Sequence, residues 1–450
     1  PAYELEDRNG DRNARFFYNN YRILSGKIAP DGLPHVYTDA DTEAMTLEIT
    51  LQDKVRNQRI LLYYTIYEDA VVTRFAKWIN DGTESIEICR FLSMNMDLPT
   101  QEYDVLTLAG AHTEEKNVYR RPLCADSVTI ESSRGTSSPQ ATPFIGLLSP
   151  GTTEEQGEVL GVNLIYSGNF YGCVQCGQYG TTRVQLGINP YQFGWQLSPG
   201  TSFCTPEAVL VYSANGLAGM SNTFHKLYRT RVCRGWYRDR ERPVLLNSWE
   251  GMYFEINEKK MLTLAEEAAE LGIELLVMDD GWFGEKYPRV GDHAGLGDWV
   301  TDKNKLPDGV NGLLHTAKQH GIKFGIWIEP EMVCKQSELY EKHPDWVIHQ
   351  PDRSIAYGRG GGQMVLDLSN PEVQDFVFGV VDRLMTQYPE LAYIKWDANM
   401  TLANYGSSYL SKEKQSHLYI DYHRGFRKIV ERIRLKYPDL VMQACASGGG

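Results

Sequence analysis

The sequence predicts a multidomain protein, an N-terminal β-sandwich followed by a (β/α)8 TIM-type barrel. Three observations predict this. Short alternating apolar runs fill residues 1 to about 235, strand and helix periods alternate from Pro243 onward, and the polar residues of the second region crowd the carboxyl ends of its strands. The length agrees, since 450 residues exceed one ordinary domain.

In the first region AMTLEITL (Ala44–Leu51), ILLYYTIYED (Ile60–Asp69), VVTRFAKWIN (Val71–Asn80), SIEICRFLSMNM (Ser85–Met96), VLGVNLIYSG (Val159–Gly168), TRVQLGI (Thr182–Ile188) and EAVLVYSA (Glu207–Ala214) read as strands. Asp81-Gly82, Pro150-Gly151, Asn189-Pro190 and Pro199-Gly200 punctuate them as turns. Many short strands with such punctuation make a sandwich. A helical stretch, Gly219–Arg231, leads out of it. The domain reading is therefore sandwich and helical linker over 1–235, barrel over 236–450.

In the second region VLLNSW (Val244–Trp249), IELLVMDDGW (Ile273–Trp282), KFGIWIEPEM (Lys323–Met332), QMVLDLS (Gln363–Ser369), LAYIKWDAN (Leu391–Asn399) and LVMQACAS (Leu440–Ser447) read as six strands. Helices alternate with them. Glu258–Gly272 and Asn311–Gly321 each close on a glycine, Asn370-Pro371 opens one that runs to about Gln387, and His417–Tyr437 forms the last. Repeated β-α units imply a parallel sheet. Trp249, Asp279, Asp280, Trp327, Glu329, Lys395, Asp397 and Cys445 stand at the carboxyl ends of five strands and the remaining strand has Asp367, a ring that a closed barrel provides and an open sheet does not. A barrel needs eight strands and six are read, so the expectation is that the natural chain continues past Gly450.

Composition narrows the function. A net charge of −13 argues against nucleic-acid or anionic-membrane partners, and no apolar run is long enough to span a bilayer. Twenty-seven Tyr and nine Trp suit sugar stacking, but packed cores use them equally. Eight scattered cysteines are no disulfide framework, and the close pair Cys173/Cys176 lacks the second pair that a zinc site requires. A start at Pro1 is silent on secretion; a cytoplasmic setting is the expectation. GRGGGQ (Gly358–Gln363) lacks the GK[ST] of a phosphate loop and leads into a strand, which rules against that reading.

The chemistry concentrates in two places. Strand LAYIKWDAN puts Lys395, Asp397 and Asn399 on one polar face within an apolar run. The trio reads either as a buried Lys–Asp brace or as a nucleophilic carboxylate kept ionised by its neighbouring lysine. Asp279 and Asp280 end another strand, where Gly281 turns the chain. With nothing in the sequence to neutralise them, they would accept hydrogen bonds from substrate hydroxyls. Metal is the rival use, with His293 and Asp298 as recruits from the loop.

NSWEGMYFE (Asn247–Glu255), LLVMDDGWFG (Leu275–Gly284), LGDWVTDKNKLPDG (Leu296–Gly309), FGIWIEPEMV (Phe324–Val333), VLDLSNPEV (Val365–Val373), YIKWDANM (Tyr393–Met400) and CASGGG (Cys445–Gly450) resemble, in the family's order, the α-galactosidases of glycoside hydrolase family 36. YNNYRILSGKIAPDGLPHVY (Tyr18–Tyr37) resembles that family's N-terminal sandwich. The resemblance implies that Asp397 is the nucleophile and that Asp279 and Asp280 bind the galactose 4- and 6-hydroxyls. It implies that Lys395 and Asn399 touch the sugar, that Trp249 and Trp327 wall the pocket, and that Cys445 and Gly448 pass the 2-hydroxyl. Arg359 matches the family's sugar-binding arginine, in a loop that Gly360, Gly361 and Gly362 lengthen. The acid/base aspartate is expected beyond Gly450, and a further sugar-contacting aspartate before Pro1.

The implied activity is retaining hydrolysis of terminal α-galactosyl residues from oligosaccharides such as melibiose and raffinose, with no cofactor or metal and with homotetrameric assembly. Two rivals stand beside it: a raffinose-family oligosaccharide synthase, which would share these residues and differ in acceptor loops, and an α-N-acetylgalactosaminidase, whose acetamido group at C2 needs a roomier loop than Cys445 suits. A non-catalytic galactose-binding protein is the third, though simple binding requires no carboxylate aimed at the anomeric carbon. Within the chain only Asp280 and Glu329 could replace the missing acid, and Glu329 is expected on a strand remote in order from Asp397.

Overall fold

A computed structural model describes residues 1–448. It divides into two compact units, Pro1–Cys233 with Lys412–Ile420, and Arg234–Ser411 with Asp421–Gly448. The second assignment of Lys412–Ile420 is invisible to a boundary drawn along the chain.

The first unit is built of antiparallel sheets. The largest runs, in spatial order, through Phe17–Ser25, Ala44–Asp53, Gln58–Tyr67, Val71–Asn80, Glu207–Ser213, Val159–Ile165, Ala141–Leu148, Asp104–Ala111 and Glu114–Pro122, with Ser202–Cys204 paired to Val71–Asn80. A four-stranded sheet (Ser127–Glu131, Phe170–Cys176, Thr182–Ile188, Met94–Leu98) and a three-stranded one (Tyr3–Asp7, Ile86–Phe91, Trp195–Leu197) complete it. Trp78, Phe75 and Ile60 of the large sheet share one core with Leu5, Ile88, Phe170, Val174, Val184 and Leu186 of the smaller two, which is the sandwich that strand alternation predicts. The opposite face is covered too. Met220, Phe224 and Leu227 of helix Gly216–Arg231 pack on Val159, Val209 and Val211, so this helix belongs to the unit's own core.

The second unit holds five parallel strands: Leu245–Asn247, Leu275–Met278, Lys323–Ile328, Tyr393–Trp396 and Val441–Ala444, each hydrogen-bonded to the next. Leu275–Met278, and Lys323–Ile328 after its first residue, are apolar and buried throughout, as in a sheet covered on both faces. Amphipathic helices supply the cover: Met261, Ala265 and Ala268 of Glu258–Glu270, Leu313, Leu314 and Ala317 of Gly309–Gln319, and Val373, Val377, Val380, Val381 and Leu384 of Pro371–Gln387. Asn257 and Asn370 cap two of these helices, accepting from the amides of Lys260 and Glu372.

Among the described residues the expected six strands are five. Gln363–Val365 pairs antiparallel with Met332–Cys334 in a separate two-stranded sheet, so Lys323–Ile328 and Tyr393–Trp396 are direct neighbours. A three-residue apolar run is read equally well by either pairing, and periodicity does not distinguish them. Asp367, which follows this run, lies in no ring of strand ends. It accepts from the amide and hydroxyl of Ser369 and from the hydroxyl of Ser407, a buried turn brace.

Candidate active site

Each parallel strand hands its last side chains to the carboxyl end of the sheet. Tyr393–Trp396 stops one residue before Asp397, whose amide donates to the Ile328 carbonyl at 2.8 Å. The Asp397 carboxylate is held on both oxygens. Trp327 Nε1 donates to Oδ2 at 3.1 Å, and the amides of Ala398 and Ser447 donate to Oδ1 at 3.0 and 3.4 Å. Three N–H donors on one buried carboxylate fix its direction. Trp327 is fully buried and its ring lies parallel to Phe283, so its indole orients Asp397 from within the core.

Lys395 does not bind Asp397. Its ammonium donates to Asp279 Oδ2 at 2.7 Å, and Asn247 Nδ2 donates to the same oxygen at 2.6 Å. Burial pulls the Lys395 amine down, but the Asp279 charge outweighs it and the amine stays above the usual lysine value. The expected support of Asp397 by lysine is thus corrected: Lys395, at 14% side-chain exposure, closes an ion pair with the acid of a different strand.

The acid pair is not left without a counter-charge, as the sequence suggested. Asp280 forms a fork with Arg289, whose Nε donates at 3.0 Å to Oδ1 and whose Nη2 donates at 2.7 Å to Oδ2. Both side chains are buried. Desolvation raises the Asp280 carboxyl, and Arg289 opposes it. Gly281, at φ +109°, makes the turn there, and Phe254 lies where a side chain would go.

Glu329 was expected far from Asp397. Because the strands bearing them are adjacent, it lies beside the strand that leads into Asp397 and accepts from the Asn399 amide at 2.6 Å. Complete burial, then the Asp397 charge, push its carboxyl up to about 8. Asn399 Oδ1 accepts from the Ser447 hydroxyl at 2.6 Å, and Arg359 Nη2 donates to that hydroxyl at 2.8 Å. Arg359 sits in the short turn Arg359–Gly361 and thereby reaches the Asp397 end of the sheet. Cys445 is tied to the Trp396 carbonyl through its amide, and burial, then Asp397, raise its thiol. Gly448, at φ +102°, ends the described chain three residues on. Trp249 opens a short helix, its amide donating to Asn247 Oδ1, and is half-buried against Tyr253 and Phe254.

Among the described residues no cluster of three or more His, Cys, Asp or Glu side chains could hold a metal ion. Asp298, a suggested recruit, instead accepts from the amides of Glu338 and Leu339 and caps their helix. Sequence reading missed Arg289 and the indole of Trp327 as carboxylate partners. A buried pair of acids at a strand end demands a cation, and that demand was the available signal.

The family profile Melibiase matches residues 202–450, and that of the glycosyl hydrolase family 36 N-terminal domain matches 1–198. The chain belongs to glycosyl hydrolase family 36. It is 45% identical over 451 residues to α-galactosidase AgaA of Geobacillus stearothermophilus, and 39% identical to α-galactosidase Mel36A of Lactobacillus acidophilus; each alignment covers 100% of this chain and 61% of the relative. The crystal structure of an AgaA variant in complex with stachyose superposes with a TM-score of 0.97 at 44% identity, covering all of this chain and 62% of that one. Another AgaA variant was crystallised with raffinose, with the same score and identity. The chain therefore spans about three-fifths of the length of the relatives it matches. No helix among the described residues is long and apolar enough to cross a membrane.

Proposed function

We propose that this chain carries the nucleophile and most of the sugar-binding groups of a retaining α-galactosidase acting on oligosaccharides such as melibiose and raffinose. The observation that carries the reading is the Asp397 carboxylate, held by three N–H donors at the carboxyl end of a parallel strand. A carboxylate whose direction is fixed suits attack on an anomeric carbon. Asp397 forms the covalent β-galactosyl ester, while a second carboxyl protonates the departing oxygen and then activates water. That second group would come from chain beyond residue 450, in keeping with relatives that are longer than this chain.

Asp279 and Asp280 accept from the 4- and 6-hydroxyls, and Lys395 and Asn399 reach the sugar beside the nucleophile. Trp249 and Trp327 bound the pocket, Cys445 and Gly448 pass the 2-hydroxyl, and Arg359 acts from its turn. The stachyose and raffinose complexes of the AgaA variants support this substrate class. Homotetrameric assembly is proposed from the family resemblance, and sedimentation of the full-length protein tests it. A cytoplasmic setting is proposed on the scattered spacing of the eight cysteines, which does not make a disulfide framework.

The test is Asp397→Asn in the full-length enzyme. Turnover of a nitrophenyl α-galactoside should vanish, galactose binding should persist, and azide should restore turnover with β-galactosyl azide as product. Substantial activity without azide would reject Asp397 as nucleophile.

A further inference from the structure

The buried guanidinium of Arg289 has no place in the mechanism above, yet one side of it grips Asp280, which that mechanism uses. On one side its Nε and Nη2 fork onto Asp280. On the other its Nη1 donates to the carbonyls of Gly291 at 2.9 Å and Ala294 at 3.1 Å, and Nη2 reaches Asp292 at 3.5 Å. The Phe254 ring lies 5.2 Å from the guanidinium carbon. The backbone is fixed as well: Lys305 Nζ donates to the carbonyls of Arg289 at 2.8 Å and Gly281 at 2.6 Å, tying the base of the arginine to the turn that directly follows Asp280.

We propose that Arg289 is a positioning residue for the reaction: its planar fork fixes the orientation of the Asp280 carboxylate for a sugar hydroxyl. A carboxylate offers about four lone-pair sites, and a fork of two parallel donors consumes two of them in one plane. The sites left over are therefore confined in direction, which a freely rotating carboxylate does not achieve. A point charge such as ammonium neutralises without setting the plane.

The same arginine also shapes the loop that approaches Arg359. The carbonyls it holds, at Gly291 and Ala294, flank Asp292 and His293, and the backbone of those two residues lies 2.6–2.8 Å from where a side chain on Gly360 would begin. Gln363 Nε2, two residues past the Gly361 end of that turn, donates to Asp292 at 3.4 Å. Arg289 thus stands between the acid that reads the sugar and the turn that carries the second arginine.

The inference rests on the proposed role of Asp280, so the test separates the two. Full-length Asp280→Asn, Arg289→Lys and Arg289→Ala are assayed on nitrophenyl α-galactoside and on its 4-deoxy and 6-deoxy analogues. Asp280→Asn should lose activity on the galactoside and lose little on the analogue lacking the hydroxyl it reads. Arg289→Lys should show the same selectivity, with kcat/KM on the galactoside down by about 10- to 100-fold, the range for charge-assisted hydrogen bonds. In Arg289→Ala the acid limb of kcat/KM should move to higher pH. Arg289 is the charge that lowers the Asp280 carboxyl, against Asp279 and Asp292, with Lys305 and Glu329 nearby and unchanged. Added guanidinium should restore part of the rate. An Asp280→Asn variant without hydroxyl selectivity would overturn the role of Asp280 and the inference with it. A selective Asp280→Asn beside an Arg289→Lys that is unaffected, or equally impaired on all three substrates, would overturn the inference alone.

Discussion

Glu329→Gln should make the folded protein more stable at neutral pH and leave it unchanged in acid. The native carboxyl is raised from an ordinary 4.5 to about 8 by burial and by Asp397. A raised native value means that the folded state prefers the protonated form. The stability that this group contributes is complete below the unfolded value of 4.5 and is lost progressively as pH rises through 8. At pH 7, about 2.5 pH units above 4.5, the loss is about 3 kcal/mol, and above pH 8 it approaches about 5 kcal/mol, at about 1.4 kcal/mol for each unit. Glutamine keeps the carbonyl oxygen that accepts from the Asn399 amide and does not ionise. Urea denaturation of wild type and variant at pH 4.5, 7 and 8.5 measures the difference directly. It should be near zero at the lowest pH and should grow to favour the variant at the two higher values. A difference independent of pH, or one favouring wild type at pH 8.5, would refute a protonated Glu329 beside Asp397.

Lys395→Met should leave the buried Asp279 carboxylate with only the Asn247 side chain and the Asp280 amide as donors, destabilising the protein by about 3–5 kcal/mol at neutral pH, as measured by thermal melting. Gly360→Ala should cost about 1–3 kcal/mol, because φ is +62° and the added methyl would lie 2.6 Å from the Asp292 carbonyl carbon. An unchanged melt would mean that the turn relaxes freely. Asn370→Ala should lower stability by about 1 kcal/mol through loss of the helix cap on Glu372, with no effect on galactoside KM.

Local signals carried much of the fold. Val71–Asn80 and Thr182–Ile188 match their strands residue for residue, and the Asn370-Pro371 pair marks the start of a helix that ends at Gln387 as expected. Glu114–Pro122 was missed because its EEKNVYRRP is almost wholly exposed and polar, with no apolar alternation to read. The site was legible where it follows strand ends: Asp279, Asp280, Asp397 and Cys445 all stand there. Its pairings were not. That Lys395 serves Asp279, that Arg289 serves Asp280 from nine residues away, and that Glu329 lies next to Asp397 are facts of strand order and loop path. Spacing along one strand does not encode them.

The antiparallel pair Met332–Cys334 and Gln363–Val365 belongs to an excursion of the chain, residues 329–392, that leaves one parallel strand and returns to the very next. Because Gly325 pairs directly with Tyr393 whatever happens between them, the sheet's register places no demand on the excursion's content. The part of it that carries Arg359 and the triple glycine can therefore behave as an exchangeable cassette. Lengthening, shortening or grafting it would change how Arg359 approaches the Ser447 hydroxyl, while the carboxylate on the returning strand keeps its place.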